Sequence, residues 1–329
     1  MKAFRYASPH AEHDVVALLG DRRSASEVLA GGTDLVSLMK QMIVTPELVV
    51  SVTRVDSMRG IQADSGGVTI GAATTLDELL DSPHLDDYQA VKQAIRGIGS
   101  MQLQCQGTLG GELCQRPRCW YFRRGQGLLA EQGRLVAEGE NRYHAIFGNA
   151  GPAKFVSASR VAPALIALGA RVRVIGPAPT DETVMPVEFL YRTPKQEGQR
   201  ETILEPRQIV THVHIPPAQE SANATYEVHR SAGPEDPLTA AAAALTIHGG
   251  MVQQARIVLG QVAPTPWISD EAAQSILGHP VNEQTALDAG HAAVSHATPL
   301  SDNRYKVQLA RVSVQRAILL AAGLETGGF

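Results

Sequence analysis

The chain has 329 residues, with 29 Lys and Arg against 33 Asp and Glu, a formal net charge of −4. Apolar residues make up 44% and charged residues 19%, the balance of a globular protein long enough for two domains. The sequence argues against a nucleic-acid binder, a membrane span and a secretory leader. It offers no dense Lys/Arg field, no run of 18 apolar residues and no apolar core after Lys2.

The predicted elements alternate along the first half. Asp14 to Leu19 ends a helix, and Glu27 to Ala30 is a short strand running into Gly31-Gly32. A helix follows over Thr33 to Met39, and Glu47 to Val52 is a β-branched strand. Gly60 to Ala63 and Val68 to Ala72 flank a turn and predict a hairpin. Thr75 with Glu78 three residues on predicts a capping box. Val161 to Leu168 reads as a helix and Ala170 to Ile175 as a strand. The proline-rich stretch Gly176 to Pro186 predicts a domain boundary, giving domains 1–178 and 179–329, the first with lobes of about 1–55 and 56–178. Beyond it, Arg207 to Ile215 alternates like a strand, and Leu238 to His248 reads as an Ala-rich helix ending at Gly249-Gly250. Ala255 to Val262 is a strand, and Thr285 to Ser295 and Asn303 to Ala322 are helices.

Two loops pair glycines with a threonine: Ala30-Gly31-Gly32-Thr33-Asp34-Leu35 and Gly107-Thr108-Leu109-Gly110-Gly111-Glu112. Glycine lets a backbone approach a ligand closely and turn several N–H groups on one anion, and a helix start adds partial positive charge. Together the loops could grip a pyrophosphate from both sides. Neither is GxGxxG, and no GxxxxGK[ST] occurs. Taken singly, each reads as readily as an ordinary turn. Gly71 to Thr75 reads locally as an N-cap with tight packing.

AGGTDLVSLMK (Ala30 to Lys40), TIGAATTLDEL (Thr69 to Leu79) and GTLGGEL (Gly107 to Leu113) occur in this order and spacing. As a set they resemble the FAD-binding subunit of the molybdenum hydroxylases, the xanthine dehydrogenase and carbon monoxide dehydrogenase family. QRPRCWYFRRG (Gln115 to Gly125) and GENRYHAIFG (Gly139 to Gly148) resemble the branch that holds the flavin subunits of periplasmic aldehyde oxidoreductases. ARIVLGQVAPTPW (Ala255 to Trp267) is similar to the family's C-terminal domain. The resemblance implies an α+β fold: a two-lobed FAD-binding domain of the vanillyl-alcohol-oxidase (PCMH) type, then a small α+β domain with a three-stranded antiparallel sheet. It implies an oxidoreductase subunit active only in a heterotrimer, passing electrons from [2Fe–2S] clusters in a small partner to an external acceptor. The molybdenum cofactor would sit in a large partner. No nucleic-acid partner is expected. The compartment would be cytoplasmic, or periplasmic on a partner's export signal. Carried onto this sequence, the resemblance puts the FAD-binding positions at Leu29, Ala30, Gly31, Gly32, Thr33, Asp34, Leu35, Val36, Thr74, Ile98, Gly99, Thr108, Gly110, Gly111, Glu112, Gln115 and Arg160.

Three positions depart from the family's pattern. Glu112 stands for the usual Asn, Arg160 for an Asp that accepts from the flavin's side chain, and Val228 for a Lys two residues after an aromatic. They motivate an alternative: a structural subunit on the same fold that has lost FAD and bridges its partners. The branch's relatives hold a [4Fe–4S] cluster on four cysteines near this segment. Only Cys119 falls at such a place, Cys105 and Cys114 do not, and no cluster or other metal site is expected in this chain. Arg116, Arg118, Arg123 and Arg124 surround Trp120-Tyr121-Phe122 in a chain only 5% aromatic. The group suits a docking surface or a packed turn with arginines on rings. His212 and His214 share a strand face without a third ligand, and His10, Glu12 and His13 read as solvated.

Overall fold

The computed structural model describes residues 1–326 except Gln219, Glu220 and Ala232. The first lobe is a parallel sheet of β1 (Arg5–Ala7), β2 (Ser26–Leu29) and β3 (Leu48–Ser51), in the order β1-β3-β2. Parallel neighbours need crossovers, and the helices Glu12–Leu18 and Leu35–Lys40 supply them. The β-branched pair Val49-Val50 puts β3 in the buried centre. Glu12 is not solvated: it accepts from Ser57 Oγ at 2.9 Å and from Arg173 Nη1 at 2.7 Å, pinning its helix to the second lobe.

The second lobe is an antiparallel sheet of β4 (Ile61–Asp64), β5 (Gly67–Gly71), β6 (Arg171–Ile175), β7 (Glu182–Pro186) and β8 (Ile209–Ile215), in the order β4-β5-β8-β6-β7. The β4–β5 hairpin turns at Ser65-Gly66, with Asp64 opposite Gly67. Gly67 has φ +126°, and a Cβ there would meet the Ile215 carbonyl oxygen at 2.1 Å, so only glycine fits. Both halves of the capping box form, since Thr75 N–H donates to Glu78 Oε2 at 2.8 Å. The division expected at 178/179 falls in the β6–β7 connection, inside one sheet. The strand pairing changes sheet between Ile215 and Ser221.

The last sheet contains β9 (Ser221–Val228), β10 (Thr239–His248), β11 (Met251–Gly260) and β12 (Trp267–Ile268), in the order β12-β11-β10-β9. It has four strands where three were expected. The extra strand is two residues long, pairs with Val258 and Leu259, and is held by Trp267 stacked on Phe147 at 5.0 Å. The helices Asp270–Ile276, Glu283–Ala293 and Tyr305–Ala321 accompany it.

The segment read as an Ala-rich helix is β10. Tertiary packing overrides its helix propensity. Ala241, Ala243 and Leu245 join the core around the helix Tyr305–Ala321, whereas Ala242 joins the main core of the second lobe. A strand covered on both faces alternates between two cores, and alanine lets helices approach closely from either side. With β9 and β11, this strand packs the C-terminal sheet against the helices Gln89–Arg96 and Ala162–Ala167.

Candidate cofactor cleft between the lobes

The first glycine turn connects β2 to the helix Leu35–Lys40. Gly32 takes φ +75°, which a β-carbon disfavours. Among the described residues, the backbone N–H groups of Gly31, Gly32, Thr33 and Asp34 meet no acceptor in the protein. Asp34 fixes the turn from behind. Its carboxylate accepts from Arg116 N–H at 2.8 Å, Arg123 Nη2 at 2.8 Å and Arg118 Nη1 at 3.2 Å.

The second turn behaves differently. Leu109 N–H donates to the Thr74 carbonyl at 3.0 Å, Gly110 N–H to the Ala72 carbonyl at 2.8 Å, and Gly111 N–H to Thr108 Oγ1 at 3.2 Å. These three donors serve the fold, whereas the four consecutive open donors belong to the first turn. The two turns touch: a Cβ on Gly31 would lie 1.4 Å from the Gln106 carbonyl oxygen. Segments 75 residues apart in the chain thus meet.

They meet over an interlobe cavity of about 220 Å³, lined by Ala30 through Leu35, Thr108, Gly110 and Gly111. Apolar walls come from Leu38, Val52, Met58 and Leu204, and a polar group from Cys114, Arg116, Arg200 and Glu201. Cys114 is pushed up to about 12 by burial, so it stays a thiol.

The remaining expected positions lie off this cavity. Leu29 ends β2 and Val36 sits in the following helix. Thr74 is buried and its hydroxyl donates to the Gly60 carbonyl at 3.1 Å, a structural use. Ile98 is buried, and Gly99 packs against Gly233, whose carbonyl oxygen a Cβ would meet at 2.7 Å.

Glu112, Gln115 and Arg160 form a separate buried cluster. Glu112 is 3% exposed, accepts from Arg160 N–H at 2.7 Å and is bonded to Gln115 Nε2. Burial pushes its carboxyl up to about 7. The Arg160 guanidinium pairs with Glu227, donating to Oε1 at 3.1 Å, and His229 Nε2 lies 2.9 Å from Glu227 Oε2. The pair leaves no room at Gly97, where a Cβ would sit 2.0 Å from Glu227. Sequence reasoning singled out Val228 and missed its neighbour. Only the pairing across two domains identifies Glu227, and no local signal marks it.

The three cysteines part company. Cys105 is exposed, Cys114 lines the cavity, and Cys119 Sγ lies 3.1 Å from His144 Nε2. Burial drives His144 down to about 4, so that imidazole is neutral. His212 Nε2 bonds the Ser57 carbonyl at 2.8 Å and His214 Nδ1 bonds Thr69 Oγ1 at 3.1 Å. Among the described residues, no three His, Cys, Asp or Glu side chains could hold a metal ion. The Arg and aromatic group packs: the Arg116 guanidinium lies 4.9 Å from the Phe122 ring centre, and Trp120 meets Tyr143 and His144 edge-on.

Open N–H groups on a turn that a Cβ would block, facing a walled cavity, suit a dinucleotide diphosphate. Comparison with known proteins agrees. Residues 2–218 match the family described as the FAD binding domain in molybdopterin dehydrogenase, and residues 224–321 match the CO dehydrogenase flavoprotein C-terminal domain. The chain is 30% identical over 316 residues to an aldehyde oxidoreductase FAD-binding subunit of Escherichia coli (strain K12), covering 94% of this chain and 96% of that one. It is 23% identical to the carbon monoxide dehydrogenase medium chain of Hydrogenophaga pseudoflava, over 96% of each. Among solved structures, reconstituted CO dehydrogenase from Oligotropha carboxidovorans superposes with a TM-score of 0.76 at 24% identity, over 98% of this chain and 99% of that one. The matches span both domains, and the chain belongs to the family of FAD-binding medium subunits of the molybdenum hydroxylases.

Proposed function

We propose that this chain seats one FAD between its lobes and relays electrons from the [2Fe–2S] clusters of a small partner subunit to an external acceptor. The molybdenum cofactor, and with it the choice of substrate, belongs to a large partner. The observation that carries this reading is the row of N–H groups from Gly31 to Asp34, without acceptors, at an interlobe cavity. When bound, FAD supplies the conversion between single-electron and paired-electron transfer that iron–sulfur clusters lack.

The chain's own residues do the rest. The Gly31 to Asp34 amides hold the diphosphate, and Asp34 is kept off it by three donors. Leu38, Val52, Met58 and Leu204 exclude water. No helix among the described residues is long and apolar enough to cross a membrane. Periplasmic placement would follow from a signal carried by a partner.

A second reading draws on Arg160. Its guanidinium is closed onto Glu227 rather than open to a ligand, which suits a bridging subunit without FAD. The visible spectrum of the native complex separates the two, alongside FAD released on denaturation and the molybdenum and iron content. Near one FAD per chain supports the relay. Full metal content without flavin supports the bridge.

A further inference from the structure

One wall of the interlobe cavity is fastened by charge. Residues 200–208, which lead into β8 of the second lobe, line the cavity beside residues 22–28 of the first. They belong to the segment 192–208, which a short ladder anchors to its own lobe. Arg192 N–H donates to the Glu201 carbonyl at 2.9 Å, Ile203 N–H donates to the Leu190 carbonyl at 2.8 Å, and Tyr191 bridges Thr202. Among the described residues, no backbone hydrogen bond joins the segment to the first lobe. Side chains join it instead. Arg200 Nη1 donates to Glu27 Oε2 at 3.3 Å, Arg23 Nη2 lies 2.7 Å from Glu205 Oε2, and Arg207 Nη1 lies 3.3 Å from Asp21 Oδ1. Arg23 Nη1 also donates to the Leu204 carbonyl at 3.2 Å. The Glu27 and Arg200 side chains are 12% and 25% exposed, and the carboxylates of the other two pairs lie in solvent. Pairs that reach water are individually weak and are screened by salt.

The closed wall also leaves polar atoms unmatched. Glu201 Oε2 and Arg207 Nε are buried without a hydrogen bond, although buried polar atoms are almost always bonded. Arg207 takes φ +65°, which an L side chain rarely adopts. It sits at the root of the segment, one residue from Gln208 and the start of β8, where a hinge would turn. The cavity holds about 220 Å³, below the roughly 300–1,000 Å³ of sites that enclose drug-sized ligands, and a dinucleotide is a larger guest. Admitting one needs a wall that gives.

We propose that the segment 192–208 is a strap, latched across the interlobe cavity by the Arg200–Glu27, Arg23–Glu205 and Arg207–Asp21 pairs, that lifts for a dinucleotide to enter or leave. The proposal rests on the reading that this chain binds FAD, and it concerns passage of the cofactor, whichever way round the cofactor lies. Entry and release cross the same barrier, so weakening the latch speeds both alike and leaves affinity unchanged. A residue that only grips bound cofactor changes release and affinity together.

The test uses the purified complex, as isolated for FAD release and flavin-depleted for FAD uptake. Both rates are read from flavin fluorescence, and the dissociation constant is measured at equilibrium. Glu27→Gln should speed release and uptake roughly tenfold each at low salt, with the dissociation constant unchanged. Glu27→Arg should speed both at least as much. Glu27→Arg combined with Arg200→Glu rebuilds the pair in reverse and should return both rates toward the parent. Parental rates in Glu27→Gln, or faster release without faster uptake, would overturn the strap while the cofactor reading stands. So would a reversed pair that exchanges as fast as Glu27→Arg. A parent complex that neither carries nor takes up FAD would overturn both.

Discussion

Glu112→Gln gives a pH signature that can be worked out from the structure. Burial raises the carboxyl from its ordinary 4.5 to about 7. The folded chain therefore holds this proton more tightly than the unfolded chain. The associated stability is whole below about pH 4.5 and is lost as pH rises through about 7. At roughly 1.36 kcal/mol per pH unit, the loss amounts to about 3 kcal/mol by pH 8. Glutamine cannot ionise, and its amide oxygen can still accept from the Arg160 N–H that Glu112 holds at 2.7 Å. The variant should therefore gain on the parent from about pH 4.5 to about pH 7, by about 3 kcal/mol in all, and the difference should level off above that. His144, driven down to about 4, and Lys306, driven down to about 7, act with the opposite sign. Both are common to the two proteins and cancel in the difference. The assay is urea unfolding of the purified subunit at four pH values, followed by tryptophan fluorescence. A stability difference that does not change with pH would refute a buried, protonated Glu112.

Two further outcomes follow from the site and its surroundings. Gly31→Ala places a Cβ 1.4 Å from the Gln106 carbonyl oxygen and must part the two turns. Its flavin-to-protein absorbance ratio should fall at least roughly tenfold while the C-terminal domain keeps its circular dichroism. In thiol titration of the native subunit, only Cys105 should react, increasingly as pH rises, because its bond to Asp77 holds the thiol proton. Cys114 and Cys119, both pushed up by burial, should react only after denaturation.

The legible features in the sequence are those fixed by local backbone demands. Gly31 and Gly110 stand where only a missing Cβ allows close approach, Gly32 takes a positive φ, and Thr75 with Glu78 is a cap complete within four residues. Leu238–His248 was misread because its alanines favour a helix locally, and nothing in the segment shows that helices cover both faces of the strand. The fourth strand, Trp267–Ile268, is too short for any periodicity. The polar half of the site was hidden for another reason. Arg116 meets Glu201, and Arg160 meets Glu227, across 85 and 67 residues of chain. Such charge pairs carry no spacing rule. The second glycine turn shows the converse limit: its residues were found, but that its amides bond Thr74, Ala72 and Thr108 is a fact of tertiary structure.

The account stands most squarely on where the diphosphate lies. A crystal or electron cryo-microscopy structure of the complex with FAD tests it directly. Phosphate oxygens should sit about 2.7–3.2 Å from the amide nitrogens of Gly31 to Asp34, beside the Gly110-Gly111 turn. A dinucleotide whose phosphates lie elsewhere on the chain, with those amides still unbonded, would contradict it.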